Sequence, residues 1–152
     1  MPLEVTAFLA DSADTVNGKI YALGIGWDLL VAPGFPFVFP RVALGIMVHV
    51  EWTDTEVQHE LRVHLETEDG VAVPLGPTGG GDDGQQPMLA WATRFQAQRP
   101  PLLIPGTPQL VPFSVNVNNA VFPVPGGYSW VIEVDGEVAS RLPLRVAVQE
   151  PV

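Results

Sequence analysis

Cysteine is absent from this chain of 152 residues, and basic residues are scarce, at 7 against 17 acidic residues. Without cysteine, no disulfide staples the fold and no thiol acts as a nucleophile. The formal net charge of −10 leaves no basic stripe to replace phosphate counterions, so we expect no nucleic-acid partner. The same charge disfavours anionic membranes, and we expect no membrane partner.

Long apolar runs are also missing. No uninterrupted run approaches the roughly 20 residues that span a bilayer. The first six residues contain no basic region followed by an apolar stretch, so the sequence as written has no secretory signal. We therefore expect the cytoplasm as the location, or a virion if a phage encodes the chain. The length suits one domain, and we expect a single domain over residues 1–152.

Proline and glycine are abundant, at 16 and 15 residues, and they separate short segments in which apolar and polar residues alternate. A period of two is typical of strands with one buried face, and no segment shows a period of 3.6. The sequence therefore predicts an all-β fold. The spacing favours a single antiparallel β-sandwich of immunoglobulin-like or jelly-roll type, with about eight strands and Greek-key crossings. A barrel is the alternative.

The clearest strands are predicted at residues 42–52 and 59–67. Further strands are predicted at 3–10, 19–30, 71–75, 89–98 and 110–118. In the predicted strand at 19–30, one face carries Tyr21, Leu23, Ile25, Trp27 and Leu29. The four tryptophans (Trp27, Trp52, Trp91, Trp130) fall on the inward phase of their strands, which favours core packing over a carbohydrate-stacking platform. The segment 76–88 is rich in glycine and acidic residues, and we expect a mobile loop.

A hairpin closes the chain, because alternation from Tyr128 to Val134 resumes after Asp135-Gly136. A two-residue loop would place Arg141 among core side chains. We therefore predict a three-residue loop with a glycine bulge, which pairs Ile132 with Val138 and Trp130 with Ser140. The turn at residues 68–70 follows the same rule, pairing Leu65 with Val73 and Val63 with Leu75. Pro143 then faces outward, on a last strand predicted to be an edge.

Two proline-rich crossings, at residues 31–40 and 99–109, offer apolar surface. In the first, Phe35, Phe37 and Phe39 either cap an open end of the core, which we favour, or form an exposed contact patch. Met47 is predicted to face outward from its strand. Our candidate interaction surface therefore comprises Phe35, Phe37, Phe39, Met47 and Pro143.

Residues that carry chemistry form no recognisable motif. His59 and His64 lie five apart, so they face opposite sides of one strand and cannot share a metal. His49 could lie beside His64 on a paired strand, as a weak divalent site at best. Carboxylates at the loops lack the spacing of a calcium loop, although calcium can bind without a linear motif. We assign no catalytic, metal-binding or cofactor-binding residue and expect no cofactor.

Several separated blocks follow one another in a characteristic order. They are Thr6-Ala-Phe-Leu-Ala-Asp-Ser-Ala13, Asn17-Gly-Lys-Ile-Tyr-Ala-Leu-Gly-Ile-Gly-Trp27, Pro105-Gly-Thr-Pro108, and Pro125-Gly-Gly-Tyr-Ser-Trp130 with Asp135-Gly-Glu137. Through them the chain resembles a family of small uncharacterised proteins that is common in actinobacteria, and we extend this expectation to the phages of these bacteria. The resemblance spans most of the chain. It implies an all-β domain, and it supplies no catalytic residues to transfer.

The sequence thus leads to a non-enzymatic structural or interaction module that acts by protein–protein assembly. Its partner is another protein, or further copies in a homo-oligomer. A capsid decoration or other virion accessory protein fits this description. The alternative is a β-sandwich that binds a small ligand or carbohydrate, with calcium held by loop carboxylates. An enzyme would need a site assembled from distant residues.

Overall fold

The computed structural model describes residues 3–74 and 89–149. Over these residues the chain forms ten β-strands and one 3₁₀ turn, with no α-helix. The strands are β1 (Glu4–Ala10), β2 (Ser12–Val16), β3 (Lys19–Leu23), β4 (Leu29–Ala32), β5 (Phe37–Val50), β6 (His59–Thr67), β7 (Leu89–Phe95), β8 (Gln109–Phe122), β9 (Gly126–Val134) and β10 (Glu137–Val148), and the 3₁₀ turn is Trp52–Asp54. The all-β prediction is confirmed. No helix in the described part of the chain has the length and apolar character to cross a membrane.

The strands form three sheets. A three-stranded sheet has the order β1-β5-β8, a five-stranded sheet has the order β4-β10-β9-β6-β7, and β2 pairs with β3 in a separate hairpin. One apolar cluster joins the two larger sheets. Its fully buried members include Val42, Leu44, Ile46, Val48 and Val50 of β5, Leu61, Val63 and Leu65 of β6, and Trp130, Ile132 and Val134 of β9.

Strand β6 agrees with the prediction at both ends, and its three inward residues are fully buried. Strand β5 has the predicted alternation from Val42 to Val50, but it begins earlier than predicted. Residues 37–39 pair with β8 instead of forming a loop, and Phe37 lies opposite Phe122. Trp52 lies outside the strand, in the 3₁₀ turn.

The predicted strand at residues 19–30 is wrong as one element. Gly24 and Gly26 have φ angles of +69° and +95°, a left-handed backbone that interrupts an extended strand. The chain therefore separates into β3 and β4. Strand β4 pairs with β10 in parallel, with Leu29 opposite Arg145. The five-stranded sheet is thus mixed, and the prediction of a purely antiparallel arrangement is wrong at this edge.

The closing hairpin has the predicted turn residues and a different register. Asp135 and Gly136 have φ angles of +52° and +84°, as in a two-residue turn of type I′, and Val134 pairs with Glu137. The irregularity follows the turn, between Val138 and Ser140, so that Trp130 pairs with Leu142. This bulge keeps Arg141 out of the core. The predicted three-residue loop and its pairs are therefore wrong.

The turn at residues 68–70 follows its prediction more closely. Gly70 is left-handed, with φ of +79°, and the amide of Val73 donates to the carbonyl of Leu65 over 2.9 Å. The register of Leu65 with Val73 is confirmed. The predicted strand at 71–75 is reduced to a single bridge between Glu66 and Ala72. Leu75 and the predicted mobile loop at 76–88 lie outside the described residues.

Strand β10 is not an edge, because it lies between β4 and β9. Pro143 is exposed, as predicted, and pairs with Ser129 of β9. Strand β4 pairs with Arg145 and the residues after it, so no residue of β4 needs the amide hydrogen that Pro143 lacks.

Gly45 provides a test of the packing around β5. It pairs with Phe8 of β1, and a Cβ atom at this position would clash with Cζ of the Phe8 ring. We expect Gly45→Ala to lower the free energy of unfolding by about 1 kcal/mol, the low end of the range for overpacking, since the half-buried ring of Phe8 can tilt away. Urea unfolding measures the change. Gly34→Ala is the control, because its Cβ would meet open space; equal losses in both variants would contradict this account.

Candidate functional site

A polar junction forms where β6 begins beside the turn between β9 and β10. His59 is 6% exposed, and its Nδ1 lies 2.7 Å from Oδ2 of Asp135. Its Nε2 lies 2.7 Å from the carbonyl oxygen of Asp54. The other carboxylate oxygen of Asp135 accepts the amide hydrogen of Glu60 over 2.9 Å. One histidine therefore links the 3₁₀ turn, β6 and the closing hairpin.

The protonation of His59 follows from its partners. A carbonyl and a carboxylate both accept hydrogen bonds, so this arrangement favours the doubly protonated imidazolium form of the ring. Burial lowers the pKa of His59, but the Asp54 carbonyl and the Asp135 carboxylate together raise the pKa above its ordinary value of 6.5. Burial raises the pKa of Asp135, whereas His59 and the Glu60 amide bring that pKa below its ordinary value of 3.8.

Next to this junction, Arg99 fastens the segment that follows β7. Its guanidinium lies 4.2 Å from the centroid of the Trp52 ring, a cation–π contact. It also donates to the Thr55 hydroxyl over 2.6 Å and to the Trp52 carbonyl over 2.9 Å. The tryptophan that the sequence places in the core thus supports a surface turn.

A cleft of about 570 Å³ opens over the junction. Its walls carry charges of both signs, from Glu60, Arg62, Arg94 and Glu133. His59 lies at this cleft, but both of its nitrogens are engaged, so it offers no lone pair to a metal or to a substrate proton. In residues 3–74 and 89–149, no group of three or more histidine or acidic side chains is placed to hold a metal ion.

His49 and His64 do not meet, because they lie on β5 and β6 in different sheets. His49 contacts the hydroxyl of Thr6 at 2.9 Å, and His64 contacts Glu66 at 2.9 Å. Glu66 also accepts from Arg141 over 2.8 Å. Arg141 and then His64 lower the pKa of Glu66. The histidine pair considered from the sequence is therefore excluded by the topology.

The three phenylalanines of the predicted surface lie together where β4 leads into β5. Phe35 and Phe39 are half-buried and pack against the main core. Phe39 lies 6.4 Å from the ring of Trp27 and 6.1 Å from that of Phe37. These contacts agree with a cap on the core, which was the preferred interpretation.

The other two residues of the predicted surface lie elsewhere. Met47 is half-buried on the outer side of the three-stranded sheet, because the β2–β3 hairpin folds over that side. Pro143 lies on the five-stranded sheet in a hollow of about 280 Å³. An ion pair between Arg145 and Glu68, 3.1 Å long, stands at that hollow. Of the five residues, the three phenylalanines thus lie together, whereas Met47 and Pro143 each lie elsewhere.

Met47 forms part of an apolar groove, which runs between the β2–β3 hairpin and the three-stranded sheet. The groove has a volume of about 430 Å³, and among the described residues that line it Lys19 is the one that is charged. The hairpin is tied down by the side-chain amide of Asn116, which donates to the carbonyl of Ala13 over 2.7 Å. The apolar residues of the groove are Phe8, Ile20, Ala22, Ile25, Met47, Leu110 and Pro112.

The second proline-rich crossing carries an apolar loop, residues 100–108. Leu102 is 99% exposed and Ile104 is 75% exposed. Two turns hold the loop: the amide of Leu103 donates to Pro100 over 2.9 Å, and that of Thr107 donates to Ile104 over 3.1 Å. The sequence indicated contact surface in this crossing without singling out these two residues. The signal was the run Pro100-Pro-Leu-Leu-Ile-Pro105, apolar throughout.

More exposed apolar side chains lie on the hairpin and beyond it. Leu23 is 74% exposed, and Tyr21, Ile25, Leu29 and Val31 are each more than half exposed. In β3, the side chains of Tyr21 and Leu23 therefore point to solvent, whereas the alternate residues Ile20 and Ala22 pack towards β5. Leu29 and Val31 are exposed on β4, at the edge of the five-stranded sheet.

Comparison with known proteins identifies a family but no activity. One protein-family model, described as a family of unknown function (DUF6941), matches residues 5–147. A search of the curated proteins finds no match.

Proposed function

Since the chain belongs to this family of unknown function, its role has to be argued from its own surface, and we propose that it is a non-enzymatic module that acts by protein–protein assembly. The partner is another protein or further copies of the chain, and neither nucleic acid nor a membrane is involved. The observation that carries the proposal is the apolar loop, with Leu102 at 99% exposure and Ile104 at 75%. Apolar side chains held out in water by a fixed backbone are typical of contact sites.

The polar residues support the non-enzymatic role. The histidine with the most unusual environment, His59, serves as a tie between segments. Of the charges around its cleft, Arg62 pairs with Glu60 over 3.4 Å. Alternating charges on the outside of a sheet are a common solubilising arrangement. We therefore assign no catalytic, cofactor or metal role to any residue.

We further propose that the fold is one β-sandwich of immunoglobulin-like type, a single domain over residues 1–152. The strand order supports this, because β1-β5-β8 corresponds to strands A-B-E and β10-β9-β6-β7 to strands G-F-C-C′. Tyr128 adds a second argument: at the start of β9, its hydroxyl donates to the carbonyl of Val124 over 2.5 Å. A tyrosine corner of this kind marks the step from strand E to strand F.

The cellular setting of the proposal is a cytoplasmic protein of actinobacteria, or a capsid decoration protein if one of their phages encodes the chain. Decoration proteins bind repeated sites on a large particle and need contact surface but no chemistry. The net charge of −10 suits a partner with a basic face. The candidate surface from the sequence, Phe35, Phe37, Phe39, Met47 and Pro143, contributes to the proposal chiefly through Met47 in the apolar groove.

The proposal predicts a mass well above the 16.4 kDa of one chain. Light scattering over a concentration series measures it for the purified protein, and a pull-down tests for a partner. Association of copies of the chain through the apolar loop should strengthen with added salt, since salt screens the repulsion between two chains of net charge −10. A strict monomer at high concentration that also retains no partner would remove the proposal.

The second candidate function is the binding of a small ligand or carbohydrate, with calcium at loop carboxylates. The charged cleft of about 570 Å³ is the observation in its favour, because its size is that of small-molecule sites. A monomer whose melting temperature rises with calcium and returns with EDTA would favour this candidate over assembly.

A further inference from the structure

The apolar loop and the apolar groove are complementary features of one chain. The loop projects two aliphatic side chains, those of Leu102 and Ile104, whose exposure is close to complete. The groove is an apolar concavity of about 430 Å³, large enough to receive such side chains. Both features adjoin β8: the loop ends where this strand begins, and Leu110 and Pro112 of the strand line the groove.

The loop does not fill the groove of its own molecule. A leucine with 99% of its surface exposed touches almost nothing in its own chain. The loop is also held in place by its two turns, and the hydroxyl of Thr107 donates to the carbonyl of Ile104 over 2.6 Å. Because these hydrogen bonds within the loop already fix part of its backbone, the loop loses less conformational freedom on binding than an open chain would.

Resting on the proposed role in assembly, we infer that the partner is a second copy of this chain, whose Leu102 and Ile104 insert into the apolar groove beside Met47. Such a contact joins two different patches, one from each copy, and is therefore heterologous. In an open chain of copies, the first copy keeps a free groove or loop and the last copy keeps the other. Only a closed ring fills every groove.

A second copy is chosen because one chain carries both the exposed apolar loop and the apolar groove, and the charges at these two features permit the contact. Two chains that each carry a net charge of −10 repel each other over most of their surfaces. The loop at residues 100–108 contains no charged residue, and the groove is lined by one charge, the positive Lys19. A loop-to-groove contact therefore brings no two carboxylates together. Nothing in the loop would attract a strongly basic partner, which removes the main advantage of a different protein at this site.

The experiment compares three double variants of the full chain. The loop variant is Leu102→Asp with Ile104→Asp, the groove variant is Ile25→Asp with Leu110→Asp, and the control is Val57→Asp with Val71→Asp. All six positions are more than half exposed, so each variant is expected to fold, which circular dichroism checks. Each variant adds two negative charges, so that general repulsion between copies is matched.

We expect the loop and groove variants each to weaken self-association by at least about tenfold in light scattering, as loss of a central apolar anchor does. The control should associate as the wild type does. A mixture of the loop and groove variants should regain association, because the first retains an intact groove and the second an intact loop. Two variants that lose association and do not complement each other would overturn the heterologous contact.

The remaining outcomes separate this inference from the proposed function. If the wild type and all three variants self-associate equally, the assembly role stands and the loop-to-groove contact is overturned. If the wild type is a monomer that binds a different protein, the groove is not filled by a second copy, and the assembly role still stands. A wild-type monomer that binds no protein overturns both.

Discussion

Replacing Trp130 by alanine is expected to lower the free energy of unfolding by about 3–5 kcal/mol, the range for large aromatic residues removed from a core. The side chain is fully buried, and it lies at the centre of the five-stranded sheet, opposite Leu142 on one side and Leu65 on the other. The loss combines the lost burial of the indole ring with the cavity left between the two sheets. For a chain of this length, each kcal/mol lowers the melting temperature by about 2–4 °C.

Urea unfolding, followed by tryptophan fluorescence and circular dichroism, measures this change. The control is Tyr21→Ala, which removes an aromatic ring that is more than half exposed and should change stability by less than about 0.5 kcal/mol. Trp130→Phe is a second comparison. The indole Nε1 of Trp130 meets no acceptor among the described residues, so phenylalanine removes an unpaired donor and should cost well under half of the alanine loss. Similar losses in Tyr21→Ala and Trp130→Ala would refute the assigned core.

The second large effect is expected at the His59 junction. Asp135→Asn should lower the free energy of unfolding by about 1–2 kcal/mol near pH 5, because hydrogen bonds to charged groups contribute about 1.5–3 kcal/mol and solvent screening at the 46% exposed carboxylate reduces this. Asparagine tolerates the left-handed backbone that residue 135 adopts at φ of +52°. The turn is therefore preserved, and the change isolates the carboxylate that faces the imidazolium.

The effect depends on pH in a direction fixed by the two shifts. Because the folded-state pKa of His59 is raised above 6.5, its contribution is complete below 6.5 and is lost as the pH rises through the folded-state value. Because the folded-state pKa of Asp135 is lowered below 3.8, its contribution is present above 3.8 and is lost as the pH falls through the folded-state value. Between these limits the ion pair stabilises the fold fully.

Wild type and Asp135→Asn should therefore differ most near about pH 5 and less near about pH 8. Glu137→Gln is the matched control, since it removes an exposed carboxylate two residues away. Its effect should be small and nearly independent of pH. A constant difference between Asp135→Asn and wild type across this range would show that His59 is not charged in the folded state.

Much of the fold follows from the sequence, because burial on one face of a strand imposes a period of two. This is why β6 and the alternation in β5 were predicted correctly. The register of the closing hairpin was predicted wrongly. A bulge near Ala139 keeps Arg141 out of the core just as a three-residue loop would, and no residue type in the sequence indicates which of the two is used. The break between β3 and β4 did have a signal, in Gly24 and Gly26, whose positions suit a left-handed backbone.

The candidate site was less predictable. Alternation tells which residues share a face, but it does not tell what covers that face. Met47 was placed on the correct side of β5, yet the hairpin that covers it is a separate element that packs against the sheet. Likewise, the partner of His59 lies 76 residues away along the chain, and no local pattern connects the two. Contacts between distant segments thus determine both the groove and the junction.

The parallel pairing of β4 with β10 has a consequence for the order in which the fold forms. Leu29 of β4 lies opposite Arg145 of β10, so the two strands are joined across most of the chain. Contacts between residues so distant in sequence close a long loop and form slowly. Leu29 and Val31 gain their neighbouring strand only when β10 is in place, so we expect this edge to be among the last parts of the fold to form.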